Sequence, residues 1–305
     1  MSKIKAWLYA FRLRTLPLAF SSIITGGAIA FKENREKFSW LVFALTLITT
    51  LLLQTLSNLA NDYGDSEKGT DNDERIGPKR AVQSGMLSFK EIKAGIFVAV
   101  VLCLVSGSAL VNEAFRGVEI GYSVFFFILG LCAIAAAIKY TIGKNAYGYM
   151  GMGDFFVFLF FGLVGVEGTY FLFTHHFNYY VLLMAFSIGA FSAGVLNLNN
   201  MRDLESDAKA GKITLAVRLG LKRAKQYHIA LIILADLTAF IFVALNFVST
   251  IQFLFIITFP LIRKHVYAVR EIENPKDFDP LLKQLAITTF IFSVLFAVGY
   301  VAGEA

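Results

Sequence analysis

Nine stretches of this sequence are apolar over about the length needed to cross a bilayer, and that repetition limits the fold more than any other feature. They cover residues 15–31, 40–57, 92–111, 120–138, 155–173, 179–196, 229–245, 251–262 and 285–302. A spanning helix needs about 20 mostly apolar residues, and lipid tolerates only segments that satisfy their own backbone hydrogen bonds. Of the 305 residues 57% are hydrophobic and only 16% charged, whereas ordinary globular chains carry about 25% charged residues. The expectation is an all-α, polytopic membrane protein. The stretch 251–262 is the weakest, being short and holding Pro260, so eight spans stand as the alternative to nine. With 2 Cys and 5 Pro, a disulfide-stapled secreted domain, a collagen-like repeat and a disordered chain are excluded.

The positions of the cations test the nine-span reading, because Lys and Arg concentrate on cytoplasmic connections. Of the 28 Lys and Arg residues, all but Lys32, Arg35, Lys37 and Arg116 fall on the N-terminal segment and on the second, fourth, sixth and eighth connections. This places the N-terminus in the cytoplasm and the C-terminus outside, in a bacterial cytoplasmic (inner) membrane. The net charge of +6 then reflects topology; nucleic acid is not an expected partner, and anionic membrane lipids are. No cleavable signal is evident before the first span. In residues 1–14, Ile4, Trp7, Leu8 and Phe11 recur at helical spacing among Lys3, Lys5, Arg12 and Arg14, which reads as an interfacial helix or as a basic flank. One transmembrane domain is expected to cover residues 1–305.

The scarce acids are unevenly placed. NLANDYGDSEKGTDND (58–73) follows the second span and NLNNMRDLESD (197–207) ends the sixth, both on the cytoplasmic side. If the helix runs on, Asn58, Asp62 and Asp65 fall on one face, and so do Asn199, Asp203 and Asp207. Two carboxylates and an amide oxygen on one stripe form a hard, oxygen-only half site that suits Mg²⁺ when phosphate oxygens complete its shell. One acidic pair would read as solvation of a helix end, but two similar motifs four spans apart read as facing halves that bracket a diphosphate through metal. Candidate diphosphate-binding groups lie beside them: Lys68, Arg75, Lys79 and Arg80 after the first motif, Arg202 and Lys212 in and after the second, and Tyr140 and Lys144 in YTIGK.

These residues resemble the UbiA superfamily of intramembrane aromatic prenyltransferases. Within it, residues 58–85, with RLRTLPLAFSSIITG (12–26), YGYMGMGD (147–154) and NNMRDLESDAKAGKITLAVRLG (199–220), are similar to the branch that prenylates 1,4-dihydroxy-2-naphthoate in menaquinone biosynthesis. The resemblance covers residues 12–220; beyond them only hydropathy agrees. It implies a nine-helix bundle around one cytoplasm-facing cavity, with Mg²⁺ and a polyprenyl diphosphate held by two Asp-rich motifs. The first motif is met at Asn61, Asp62 and Asp65, while its last position is Gly69; the naphthoate branch is similar to this chain in placing that acid at Asp71. The second is met at Asp203 and Asp207. The implied chemistry is attack of the hydroxylated ring on an allylic cation, with CO₂ leaving from the attacked carbon. Because the Asp motifs report the diphosphate and not the ring, hydroxybenzoate or haem remain alternative acceptors, and a secondary transporter is a further alternative.

Three acids fall inside spans, where an ionisable group is costly and functional by default. Asp154, beside Tyr147 and Tyr149, is placed to contact the aromatic substrate or orient a cation, with Tyr149 as its companion. Glu167 and Asp236 are expected to pair with buried polar groups. Cys103 and Cys132 read as small hydrophobes, and His175, His176, His228 and His265 lack the spacing of zinc or haem ligands.

Overall fold

The structure, a computed structural model, describes residues 2–71 and 76–303. All regular structure among them is helical. After α1 (Lys3–Phe11) come α2 (Leu16–Glu33), α3 (Trp40–Glu67), α4 (Phe89–Ala114) and α5 (Ile120–Lys139). The fifth crossing is α6 (Gly153–Val157), a π-helical stretch Phe158–Glu167 and α7 (Gly168–Thr174). Then follow α8 (Val181–Arg202), α9 (Leu204–Lys209), α10 (Leu215–Leu245), a 3₁₀ stretch Thr250–Thr258 leading into α11 (Phe259–Glu271), and α12 (Phe278–Ala302). Local sequence explains several starts. The Ser39 and Thr214 side chains accept from the third residue after them, Ser88 and Glu91 form a reciprocal capping box, and Pro17 sits in the first turn of α2, where its missing N–H costs nothing.

The stretch expected over 251–262 does cross the bundle, but not as one α-helix. Eight described helices have the length and apolar composition of a span, and this segment is not among them. Pro260 starts α11 afresh, and Arg263, Lys264, Arg270 and Glu271 make that helix polar. At one end, a Cβ on Gly299 of α12 would lie 2.4 Å from the Ile251 carbonyl oxygen. At the other, Lys225 of α10 donates to the carbonyls of Arg270 and Ile272. Parity is therefore that of nine crossings, with the two described ends of the chain at opposite ends of the bundle. Lys3 pairs with Glu91 at the start of α4, while Lys32 at the end of α2 donates to the Gly303 carbonyl at 2.9 Å.

Packing is uneven. In α8, every residue from 184 to 194 except Phe186 is buried, against α10, α12 and the rings of Phe242, Phe255, Phe292 and Phe296. Small residues permit this closeness, as in other membrane helix contacts. A Cβ on Gly162 would meet the Ala185 carbonyl oxygen at 2.5 Å, and one on Gly26 would meet that of Val166 at 2.3 Å. By contrast α5 buries only Ala136 and presents Phe125, Ile128 and Leu131 outward, as a lipid-facing helix does. Between the dense half and the looser α3–α5 side lies a cavity of about 380 Å³. The π-helical stretch forms part of its wall through Phe160, Phe161 and Val164; Ser22 of α2 reaches into that stretch and donates to the Phe161 carbonyl at 2.5 Å. Such π geometry is rare and recurs at functional sites.

Candidate active site

The cavity runs alongside α3 from Asn61 to Thr46, about 22 Å at the rise of an α-helix. Its walls are largely apolar, with Phe126, Phe156, Phe160 and Phe161 among them, and its polar end is marked by Asn58, Asn61 and Tyr140. The acids of both motifs gather beyond that end.

In the first motif the helix runs on as expected, and Asn58, Asp62 and Asp65 are all buried. Each meets a different neighbour. Asn58 turns back to the N-terminal segment, donating to the Phe11 carbonyl at 2.9 Å and to Thr15 Oγ1 at 3.2 Å. Asp62 accepts from the backbone N–H groups of Ala81 (3.0 Å) and Val82 (3.3 Å), fixing the turn that carries Arg80. Asp65 accepts from the Tyr149 hydroxyl at 2.8 Å and lies 3.6 Å from Arg80 Nη2 and 3.8 Å from Lys212 Nζ. Its carbonyl also takes the N–H groups of Thr70 and Asp71. Asp71 therefore returns to the site, its Oδ1 3.5 Å from Arg80 Nε.

The second motif departs from the single stripe expected of it. α8 ends at Arg202, Asp203 adopts φ −95° and ψ 14°, and α9 starts at Leu204. Arg202 stands at the break. Its buried guanidinium folds onto the next residue, with Nε 2.9 Å from Asp203 Oδ1 and Nη2 2.6 Å from Oδ2, and it also holds Asn199 Oδ1 at 2.9 Å and Asp279 Oδ1 at 2.5 Å. Beyond the break, the Asp207 N–H donates to the Asp203 carbonyl at 2.8 Å. Asp207 Oδ1 lies 3.7 Å from Lys212 Nζ.

Lys212 thus bridges the two motifs. Burial alone would lower its ammonium, but Asp65 and Asp207, with Tyr149 and Asp203, raise it above the ordinary lysine value. Lys68 lies 3.9 Å above the Tyr149 ring; burial draws it below that value, against the upward pull of Asp65 and Glu67. The Tyr149 phenol is raised by burial and by Asp65, and that of Tyr140 by burial and by Asp65, Asp154 and Asp207. Arg80 is held by charge alone: neither Nε nor Nη1, both buried, has a hydrogen-bond partner among the described residues. Lys79 and Lys144 are exposed at the rim, and none of the contacts described joins Lys144 to an acid. Arg75 lies outside the described residues.

Three features were not visible in the motifs. Tyr149, expected beside the aromatic substrate, is instead the hub of the acid cluster, its hydroxyl also 2.6 Å from Thr70 Oγ1. Its carbonyl accepts from Ile213 at 3.2 Å, and Met150 accepts from Arg218, so the 147–150 turn ties the two motif loops together. Asp279, at the start of α12, shares Arg202; its one sequence signal was an acid in the first turn of a helix. Among the described residues no group of three or more His, Cys, Asp or Glu is gathered closely enough to hold a metal ion by itself; what the fold does bring together is one acid of each motif, Asp65 and Asp207, on the Lys212 ammonium, and their hard carboxylate oxygens are of the kind that suits Mg²⁺.

The chain is similar over nearly its whole length to known proteins. The chain is 44% identical over 302 residues to the 1,4-dihydroxy-2-naphthoate octaprenyltransferase of Haemophilus influenzae, covering 99% of this chain and 97% of that one. It is 41% identical to the protein of the same name from Escherichia coli, covering 98% and 96%. Its fold is similar to that of a UbiA homolog from Archaeoglobus fulgidus solved with GPP and Mg²⁺, with a TM-score of 0.65 at 19% identity, covering 95% of this chain and 98% of that chain. A model of the UbiA prenyltransferase family matches residues 19–281. With a family model matching most of its length and relatives above 40% identity over nearly all of it, this chain belongs to the UbiA prenyltransferase family.

Proposed function

We propose that this protein moves a polyprenyl group from its diphosphate to 1,4-dihydroxy-2-naphthoate with loss of CO₂, forming the hydroquinone of demethylmenaquinone. The observation that carries this reading is the convergence of Asp65 and Asp207 on one cation position at the mouth of the apolar cavity. That geometry suits a substrate with a charged head and a long greasy tail, and the relatives' shared name supplies the acceptor.

In this reading Asp62, Asp65, Asp71, Asp203 and Asp207 hold Mg²⁺, with Asn58 and Asn199 supporting the helices that carry them. Mg²⁺ bound there supplies the positive charge that neutralises the departing diphosphate. Arg80 offers its unbonded Nε and Nη1 to phosphate oxygens, and Lys68, Lys212 and Tyr140 meet the same head group. Lys79 and Lys144 receive it at the rim, and Arg202 sets the position of Asp203. The cavity holds the chain away from water, so that the allylic cation meets the ring and not a hydroxide. The cation bias supports an acid cluster and N-terminus on the cytoplasmic side and a C-terminus outside, and the bacterial relatives support a bacterial inner membrane.

The test is direct. Purified protein with Mg²⁺ and octaprenyl diphosphate is offered dihydroxynaphthoate, hydroxybenzoate and haem in turn. Prenylation of dihydroxynaphthoate with release of CO₂ is expected, and inertness toward it alongside activity on another acceptor would overturn the reading.

A further inference from the structure

Two groups of ionisable residues lie outside the site described above. Asp154, expected against the aromatic substrate, is buried at the first turn of α6 and is not among the residues that line the cavity. The other group is open. A second pocket, of about 390 Å³, lies between α10 and the end of α11 and is lined by Lys222, Lys225, Gln226, Ile229 and Arg270. It sits at the acid-bearing end of the bundle, because the connection that leaves α11 runs to Asp279, which takes Arg202. Lys225 builds it: its ammonium donates to the carbonyls of Arg270 and Ile272, closing the C-terminal end of α11 against α10. Asn197 of α8 steadies the same turn of α10, donating to the Ala224 carbonyl at 3.0 Å.

The remaining cations have no counterpart in the chain. Lys222 and Arg270 are exposed, and so are Arg263 and Lys264 on the same face of α11 as Arg270; none of these four side chains meets an acid among the described residues. The opposite face of α11, with Ile262, His265 and Val269, is buried. Arg263 lies two turns before Arg270, about 10 Å along the axis, so these cations stand on the part of a crossing that meets lipid. A Lys or Arg there lays its stem along apolar surface and raises its charge to the headgroup layer, where like charges gathered without an acid call for an anion. What that anion is attached to is shown by α10. Lys222, Gln226, Ile229, Ile233, Leu237 and Phe240 recur at helical spacing on one face. That face is polar at the acid-bearing end and apolar along the rest, and Ile233, Leu237 and Phe240 are exposed. A headgroup over acyl chains has this polarity in this order, whereas a soluble anion has no use for the stripe.

We infer that the pocket between α10 and α11 binds an anionic phospholipid. Its phosphate lies between Lys222 and Arg270, with Arg263 and Lys264 reaching toward the same layer from deeper in the membrane. Its headgroup hydroxyls meet Gln226, and its acyl chains run along Ile229 and Ile233. Basic pockets between spanning helices recognise lipid headgroups in this way. The site also acts on the second acid motif at one remove. From Ile272, whose carbonyl Lys225 holds, a short connection leads to Asp279, and Asp279 shares Arg202 with Asp203. A lipid that fastens α11 to α10 thereby steadies the residue that positions Asp203.

The experiment uses the full-length protein in detergent, with bound lipids counted by native mass spectrometry. The wild type should retain one phosphatidylglycerol in preference to phosphatidylcholine, and its thermal midpoint should rise as phosphatidylglycerol is added. Each cation beside the headgroup is worth about fivefold in affinity. Lys222→Gln and Arg270→Gln should therefore each weaken retention about fivefold, and the double variant about 25-fold, with thermal midpoints in lipid-free detergent unchanged. Lys225 is left intact because it closes the end of α11. Lys93→Gln, which removes an exposed cation from the start of α4, should leave retention as in the wild type. Equal retention of the two lipids, or a loss with Lys93→Gln as large as with Lys222→Gln, would mean general surface charge and overturn the proposal. Displacement of phosphatidylglycerol by an equal concentration of inorganic phosphate would overturn the role of the apolar stripe. Preferential retention of a polyprenyl diphosphate, lost in the double variant, would overturn the phospholipid as occupant.

Discussion

The two acid motifs begin alike, with Asn-Leu-x-Asn, yet the chain builds them in opposite ways. In the first, α3 continues unbroken to Glu67 and its acids are held from outside, by backbone N–H groups of Ala81 and Val82, by Tyr149 and by Arg80. In the second, α8 stops, and Asp203 is gripped by the residue before it. The first motif is therefore a rigid platform whose loops are fastened to it. The second is a hinge whose shape is set by one guanidinium, itself shared with Asp279. Lys212, bridging Asp65 and Asp207, is where the two constructions meet.

The largest effect should come from the acids at that meeting point. Asp65→Ala or Asp207→Ala should each lower kcat by roughly 100- to 1000-fold, the scale of removing one group that stabilises developing charge. Because both act on the same cation position, the double variant should lose far less than the product of the two single losses, measured as prenylated product per unit time. Multiplicative losses would show that the motifs work apart.

Next is the hinge. Arg202→Leu leaves Asp203 buried without its partner, and breaking such a pair costs about 3–5 kcal/mol; the thermal midpoint in detergent should fall accordingly. The corresponding change in the platform is smaller. Asp62→Ala strands the buried N–H of Ala81, at about 1–3 kcal/mol, and leaves the half-buried N–H of Val82 to find water. Hydrogen exchange should quicken at residues 81–82 while α8 stays protected. A fall in α8 protection would mean that the motifs are not separately built.

The smallest effect is on the alkaline side. Lys68 is held below the ordinary lysine value and Lys212 above it, so rising pH discharges Lys68 first. KM for the prenyl diphosphate should begin to rise below the usual lysine value of about 10.4, and Lys68→Arg should flatten that limb. Lys212, with its value raised by folding, contributes stability in full below the unfolded lysine value and loses it only as pH climbs through the folded one.

Much of this molecule was legible in its sequence. Apolar runs located the crossings, the cation bias pointed to an odd number of them, and repeated Asn and Asp spacing marked the two acid motifs that the fold brings together. These are local properties, readable because a helix in lipid must bury its own backbone bonds and a loop must carry the charge. Asp65 could be named from spacing alone, since α3 does run through it. The break at Asp203 could not, because it depends on where Arg202 turns, and that depends on Asp279, 77 residues away in sequence. The role of Tyr149 was hidden for the same reason: its partner Asp65 lies 84 residues away. The eighth crossing was weak in the sequence because Pro260 splits it, and only its contacts with Gly299 and Lys225 show that it crosses. Hydropathy and spacing fixed what enters the membrane and which acids face one end. Packing alone decided which acid meets which cation, because pairing in a buried site goes to the donor that the fold brings within reach.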